Sequence, residues 1–176
     1  RQQSDYDGLL PANTIALIGP EFALLRPEFA KLRDASLARR TQPTLRCLLI
    51  TMGGSDKDDV TGQIIDALKT CILPSDFRIT VVMGPNAPWL ARVQKLALHM
   101  PCPTQVLIGV SDIARYMAQS DLAIGAAGGT SWERCCLGLP AIVLVLATNQ
   151  QAGAMALQET GATITLASIL SVRHAL

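Results

Sequence analysis

Leu48-Leu49-Ile50-Thr51-Met52-Gly53-Gly54-Ser55-Asp56 is an apolar, β-prone run that breaks at two glycines and leads into a helical pattern. A strand feeding a glycine turn and then a helix is the opening of a βαβ unit. The arrangement returns downstream, where β-prone residues near 121 to 124 enter Gly125-Ala126-Ala127-Gly128-Gly129-Thr130-Ser131-Trp132-Glu133 and a second helix begins. Working outward, strands are expected near 46 to 51, 77 to 83, 104 to 108, 121 to 124, 141 to 146 and 162 to 166. Helices are expected near 57 to 70, 88 to 99, 112 to 119, 131 to 138 and 150 to 160. Val60, Ile64, Leu68 and Cys71 recur at helical spacing and form a stripe that faces the sheet. Ile142-Val143-Leu144-Val145 is apolar on both faces, as a strand covered by helices on two sides requires. The expected class is α/β, a Rossmann-like doubly wound parallel sheet.

Residues 1–44 read differently, with mixed polarity, a Gly19-Pro20 turn and a basic, helix-prone stretch ending in Ala38-Arg39-Arg40. They are expected to be a linker plus a short helix, the tail of a neighbouring domain outside this sequence, and residues 45–176 the Rossmann-like domain.

The 176 residues are 49% hydrophobic, enough for one sizeable core. Fifteen basic residues balance fourteen acidic ones, so no net field draws the chain to nucleic acid or an anionic membrane. The five cysteines, Cys47, Cys71, Cys102, Cys135 and Cys136, include no CxxC pair and no cysteine–histidine cluster, and point to reduced thiols rather than zinc ligands or disulfides. The longest apolar stretch, near Leu139 to Ala147, is too short to span a bilayer, and the start of the sequence has no signal-peptide core. The expected compartment is the cytoplasm, with no cofactor and no metal.

In the strand order 3-2-1-4-5-6, strands one and four are neighbours where the winding reverses, and ligands settle outside their carboxyl ends. Both glycine loops fall at those ends. Glycine admits positive φ and close backbone approach, and a following helix offers N–H groups to an anion, so the pair suits a diphosphate. A single such loop is equally well a tight turn. No GxxxxGK[ST] occurs and no GxGxxG follows the first strand, which disfavours a P-loop NTPase and a dehydrogenase. Glu133 has two roles open to it: the Thr130-x-x-Glu133 spacing is that of a capping box, and its carboxylate also suits the vicinal hydroxyls of a ribose. Thr130 and Ser131 are caps, phosphate ligands or both, and Ser55 with Asp58 repeats the ambiguity.

The stretches Leu48 to Asp56, Ala127 to Pro140 and Thr148-Asn149-Gln150 resemble the nucleotide-binding domain of the UDP-sugar hydrolase family of pseudaminic acid biosynthesis. Gly19-Pro20-Glu21-Phe22-Ala23-Leu24-Leu25-Arg26-Pro27-Glu28-Phe29 is similar to that family's interdomain segment. The family is itself similar to the GT-B glycosyltransferase that adds N-acetylglucosamine to lipid-linked peptidoglycan precursor, so the resemblance implies one half of a GT-B fold. It implies that Gly53, Gly54 and Ser55 serve the diphosphate and that the Val110 backbone reads the uracil edge. By the same resemblance Gly129, Thr130 and Ser131 serve phosphate, Glu133 holds the ribose, and Asn149 and Gln150 face the sugar. Alternatives stand beside each of these, among them Val110 as a strand end and Asn149 as a helix cap.

The implied reaction is metal-free hydrolysis of UDP-2,4-diacetamido-2,4,6-trideoxy-β-L-altropyranose to UDP and free sugar, with water attacking the anomeric carbon. The family's catalytic histidine belongs to the N-terminal domain, and nothing here matches that segment, so this chain alone is expected to be inactive. His99 and His174 read as surface residues. Two other functions remain: the donor half of a GT-B glycosyltransferase, and a noncatalytic nucleotide-sugar-binding module.

Overall fold

The computed structural model describes residues 3–42, 44–166 and 168–172. Six strands, β1 (Cys47–Thr51), β2 (Arg78–Met83), β3 (Thr104–Ile108), β4 (Leu122–Ala126), β5 (Ala141–Leu144) and β6 (Thr163–Leu166), form one sheet in the order β3-β2-β1-β4-β5-β6. Every neighbouring pair is parallel. Winding therefore reverses between β1 and β4, as the sequence pattern anticipates.

Side chains alternate across β1, and each face has its own core. Leu48 and Ile50 join Val60, Ile64, Ile65 and Leu68 of α2 (Val60–Leu68) and Val93 of α3 (Leu90–Ala97). Leu49, on the opposite face, packs with Phe29 of α1 (Pro27–Arg39), Ala114 and Met117 of α4 (Ile113–Gln119), and Ala154 of α6 (Gln151–Glu159). Leu137, just past α5 (Thr130–Cys136), completes that second core. Ile64, Leu68, Leu49 and Phe29 are fully buried. Each such side chain contributes about 1.5–3 kcal/mol by leaving water.

Helix α1 is docked to this sheet. Beyond Phe29, its Arg39 guanidinium lies 2.5 Å from Asp121, whose other carboxylate oxygen accepts the Arg46 and Cys47 N–H groups at 2.9 and 2.8 Å. Arg40 donates to the Met117 and Ser120 carbonyls at 3.1 and 2.9 Å, closing the C-terminal end of α4. The basic end of α1 thereby satisfies carbonyls that a helix terminus leaves open.

Two of the boundaries that differ from expectation have a clear local cause. Strand β5 ends at Leu144 rather than at 146, and Val145 and Leu146 are exposed where the chain leaves the sheet. Helix α2 begins at Val60 rather than near 57, because Asp56 and Asp59 take positive φ of 38° and 53° and form a turn ahead of it.

Candidate functional site

The register sets the two glycine loops at one level. Thr51, the last residue of β1, stands opposite Gly125 of β4, so the chain leaves both strands side by side. In the first loop Gly53 adopts φ 89°, in the region that favours glycine, and Gly53, Gly54 and Ser55 are all exposed. In the second, Gly125 must lack a side chain: a Cβ there would stand 2.4 Å from Arg134 Nη1 and 2.9 Å from the Thr51 carbonyl oxygen. A Cβ at Gly54 or Gly129 would meet nothing within 4 Å, so both backbones border open space.

The loops differ in what they offer an anion. At the first, the buried Asp56 carboxylate accepts the Val60 and Thr61 N–H groups at 2.9 and 3.0 Å. The cap of α2 is therefore Asp56, not the Ser55 and Asp58 pair considered from the sequence, and those two N–H groups are already taken. What remains open there is the backbone of Gly53 and Gly54. At α5 no side chain caps the helix, so the Thr130 and Glu133 capping box does not form.

Glu133 instead faces Arg26, whose Nη2 lies 3.9 Å from its carboxylate. Burial pushes the Glu133 carboxyl above its usual value, with the Arg26 and Arg134 charges opposing the rise. Arg26 also donates to the Ser111 carbonyl at 2.9 Å, beside the half-buried Val110, and stacks its guanidinium 5.4 Å from the Phe29 ring centroid. One side chain at the start of α1 thus links the Val110–Ser111 turn to Glu133. Val110 lies two residues past the end of β3 at Ile108, so it does not close that strand.

Gly128, Gly129, Ser131, Asn149 and Gln150 line one open concavity of about 290 Å³ between α5 and α6. Gln150 Oε1 accepts the Leu146 N–H at 3.1 Å, which ties it to the turn after β5, while Asn149 is exposed in a short 3-10 turn, Thr148–Gln150. Thr130 is half-buried, and the buried Ser131 hydroxyl accepts from Arg134 Nη2 at 2.9 Å. The ten candidate residues therefore lie at the carboxyl edge of the sheet, in the β1 loop, the turn after β3, the loop and helix after β4, and the turn after β5.

His99 lies exposed just past α3, its ring nitrogen 2.8 Å from the Lys95 carbonyl; His174 falls outside the described residues. Among the described residues no group of three or more histidine, cysteine or acidic side chains could hold a metal, and no helix is long and apolar enough to cross a membrane. All five cysteines are free. Two residues escaped sequence reasoning: Arg26, which belongs to a linker by pattern, and Arg134, an arginine with 1% of its surface exposed. Only the Gly125 that Arg134 requires could have hinted at it.

The six-stranded parallel sheet, its winding reversing between β1 and β4 and helices on both faces, is a Rossmann-like half of the GT-B type. Residues 48–170 match the glycosyltransferase family 28 C-terminal domain, and the chain belongs to that family. Among curated relatives, it is 30% identical over 133 residues to the protein MJ1062 of Methanocaldococcus jannaschii, covering 74% of this chain and 27% of the relative. It is 29% identical over 121 residues to the spore coat polysaccharide biosynthesis protein SpsG of Bacillus subtilis, covering 69% and 35%. The chain matched here thus spans about a third or less of those relatives. Among solved structures, the fold is similar to MurG of Acinetobacter baumannii, with a TM-score of 0.67 at 20% identity, covering 96% of this chain and 48% of that one.

Proposed function

We propose that this chain is the UDP-sugar-binding C-terminal half of a nucleotide-sugar hydrolase that releases UDP from a diacetamido-trideoxy-altrose in pseudaminic acid biosynthesis. The observation that supports the nucleotide-binding part of the reading is the pairing of Thr51 with Gly125, which sets two glycine loops together at the reversal of the sheet; the hydrolase part rests on the family resemblance. Gly53, Gly54, Ser55, Gly129, Thr130 and Ser131 would bind the diphosphate, and Glu133 the ribose. The Val110 backbone would read the uracil edge, with Asn149 and Gln150 toward the sugar. Arg26 would orient Glu133 and hold the turn at Ser111. No metal is required, because the backbone, α5 and nearby guanidinium groups offer the leaving diphosphate its stabilisation.

Residues 1–44 would then be an interdomain segment, with a cytoplasmic parent whose N-terminal domain supplies the base that activates water. The exposed Ile15 and Leu17, 85% and 65% accessible, support a covering partner for that segment. A second reading, the donor-binding half of a GT-B glycosyltransferase, is favoured by the family 28 match itself.

Calorimetric titration tests the shared part: weak UDP binding without turnover of UDP-sugar is expected, and no UDP heat at millimolar nucleotide would count against it. Incubating the UDP-sugar with the chain joined to its N-terminal domain separates the readings. Free sugar and UDP support hydrolysis, whereas release of UDP only with an added acceptor supports transfer.

A further inference from the structure

Among the described residues the side chain of Arg134 is the largest that is fully buried, and no carboxylate holds it. Its Nη2 donates to the Ala126 carbonyl and to Ser131 Oγ, both at 2.9 Å, while Nε and Nη1 have no hydrogen-bond partner. Both oxygens are neutral. Glu133 is adjacent in sequence, yet its carboxylate forms its ion pair with Arg26. Burying a cation without a counter-ion is strongly unfavourable, and such a group usually lies at the surface or in an ion pair.

The location explains the exception. Ala126 and Ser131 are the two ends of the second glycine loop, so one guanidinium ties the base of the loop together while Gly128 and Gly129 at its tip stay uncovered. Gly125 keeps the space that Nη1 occupies. Within this pocket the charge is poorly screened and acts strongly on any anion resting against the loop.

We infer that Arg134 is the built-in counter-charge of the loop: a positioning residue that fixes Ala126 to Ser131 and draws a diphosphate onto it without touching it. The inference rests on the reading that this loop receives the diphosphate of a nucleotide. The charged and titratable groups around the guanidinium are Glu133, whose negative charge is shared with Arg26, and the neutral thiol of Cys135. Neither neutralises it fully, so an incoming diphosphate supplies the missing negative charge, and the stability that the empty protein forgoes returns as affinity.

The test compares Arg134→Met and Arg134→Lys with the unaltered chain, titrating inorganic pyrophosphate, UDP and uridine by NMR and recording Tm without ligand. Arg134→Met is expected to lose about tenfold or more in pyrophosphate and UDP affinity, to keep its uridine affinity, and to melt no lower than the unaltered chain. Arg134→Lys, which retains the charge with fewer donors, is expected to keep most of the pyrophosphate affinity. Unchanged pyrophosphate affinity in Arg134→Met overturns the inference. So does a parallel loss of all three ligands with a lowered Tm in both variants, which marks a merely structural arginine. If the unaltered chain binds pyrophosphate but not UDP, the nucleotide reading falls while the Arg134 comparison on pyrophosphate still decides the inference. Binding of neither by the unaltered chain overturns both.

Discussion

Arg26 and Glu133 face each other across 3.9 Å, one at the start of the first helix and the other in the helix that follows the second glycine loop. This pair replaces the capping box that the Thr130 and Glu133 spacing suggests, and it leaves Glu133 a partly buried acceptor at the rim of the crevice. A carboxylate kept from its own helix cap, with one oxygen 3.9 Å from its arginine, retains acceptor capacity.

Glu133→Ala is accordingly expected to weaken UDP by about 1–2 kcal/mol, the cost of losing hydrogen bonds to a charged group, while weakening pyrophosphate much less. Calorimetry on both ligands checks it, and equal weakening would contradict the ribose role.

The raised Glu133 carboxyl sets a pH dependence. Its folded value lies above the ordinary 4.5, so the folded chain holds this proton at higher pH than the unfolded chain does. Its contribution to stability is therefore present at low pH and lost as pH rises through the raised value. A diol donates to the ionised carboxylate, so binding releases that proton, and UDP affinity should fall as pH is lowered through the same window above 4.5. Glu133→Gln should retain only the dependence set by the nucleotide's own phosphate.

Gly129 has helical φ and ψ of −56° and −29°, and a Cβ there meets nothing within 4 Å. Gly129→Ala should leave stability within about 1 kcal/mol of the unaltered chain. Diphosphate affinity should nonetheless drop, because the methyl group enters the space the ligand would use. Thermal melts and a pyrophosphate titration read the two effects separately.

Asp56→Ala removes the acceptor of two N–H groups at the start of α2 and should destabilise by about 1–2 kcal/mol. Denaturant unfolding checks the loss. Asp56→Asn should recover part of it, since the amide oxygen still accepts one N–H.

The sheet was legible because β-prone runs and helical stripes alternate at βαβ spacing, and the strand order follows from how such units wind. The dockings were less so. Three acidic residues, Asp56, Asp58 and Asp59, crowd the turn before α2, and sequence cannot tell which of them takes the φ that aims a carboxylate back at the helix. Phe29 is the chief apolar anchor of α1, whose docking also uses Ser36, Arg39 and Arg40 reaching carbonyls eighty or more residues away. Arg134 follows a glutamate on a helix, where the default expectation is solvent. The roles proposed for Val110, Asn149 and Gln150 come from family resemblance, since spacing alone leaves them open. The structure adds their common edge and the concavity shared by Asn149, Gln150, Gly128 and Gly129.

The most direct test is a backbone-amide NMR titration with UDP. The Gly53 and Gly54 amides and the Gly128 and Gly129 amides should shift together and fit one dissociation constant, as two loops holding one diphosphate require. Movement of only one loop, or shifts confined to the separate hollow between Val145 and Leu166, would contradict a shared site.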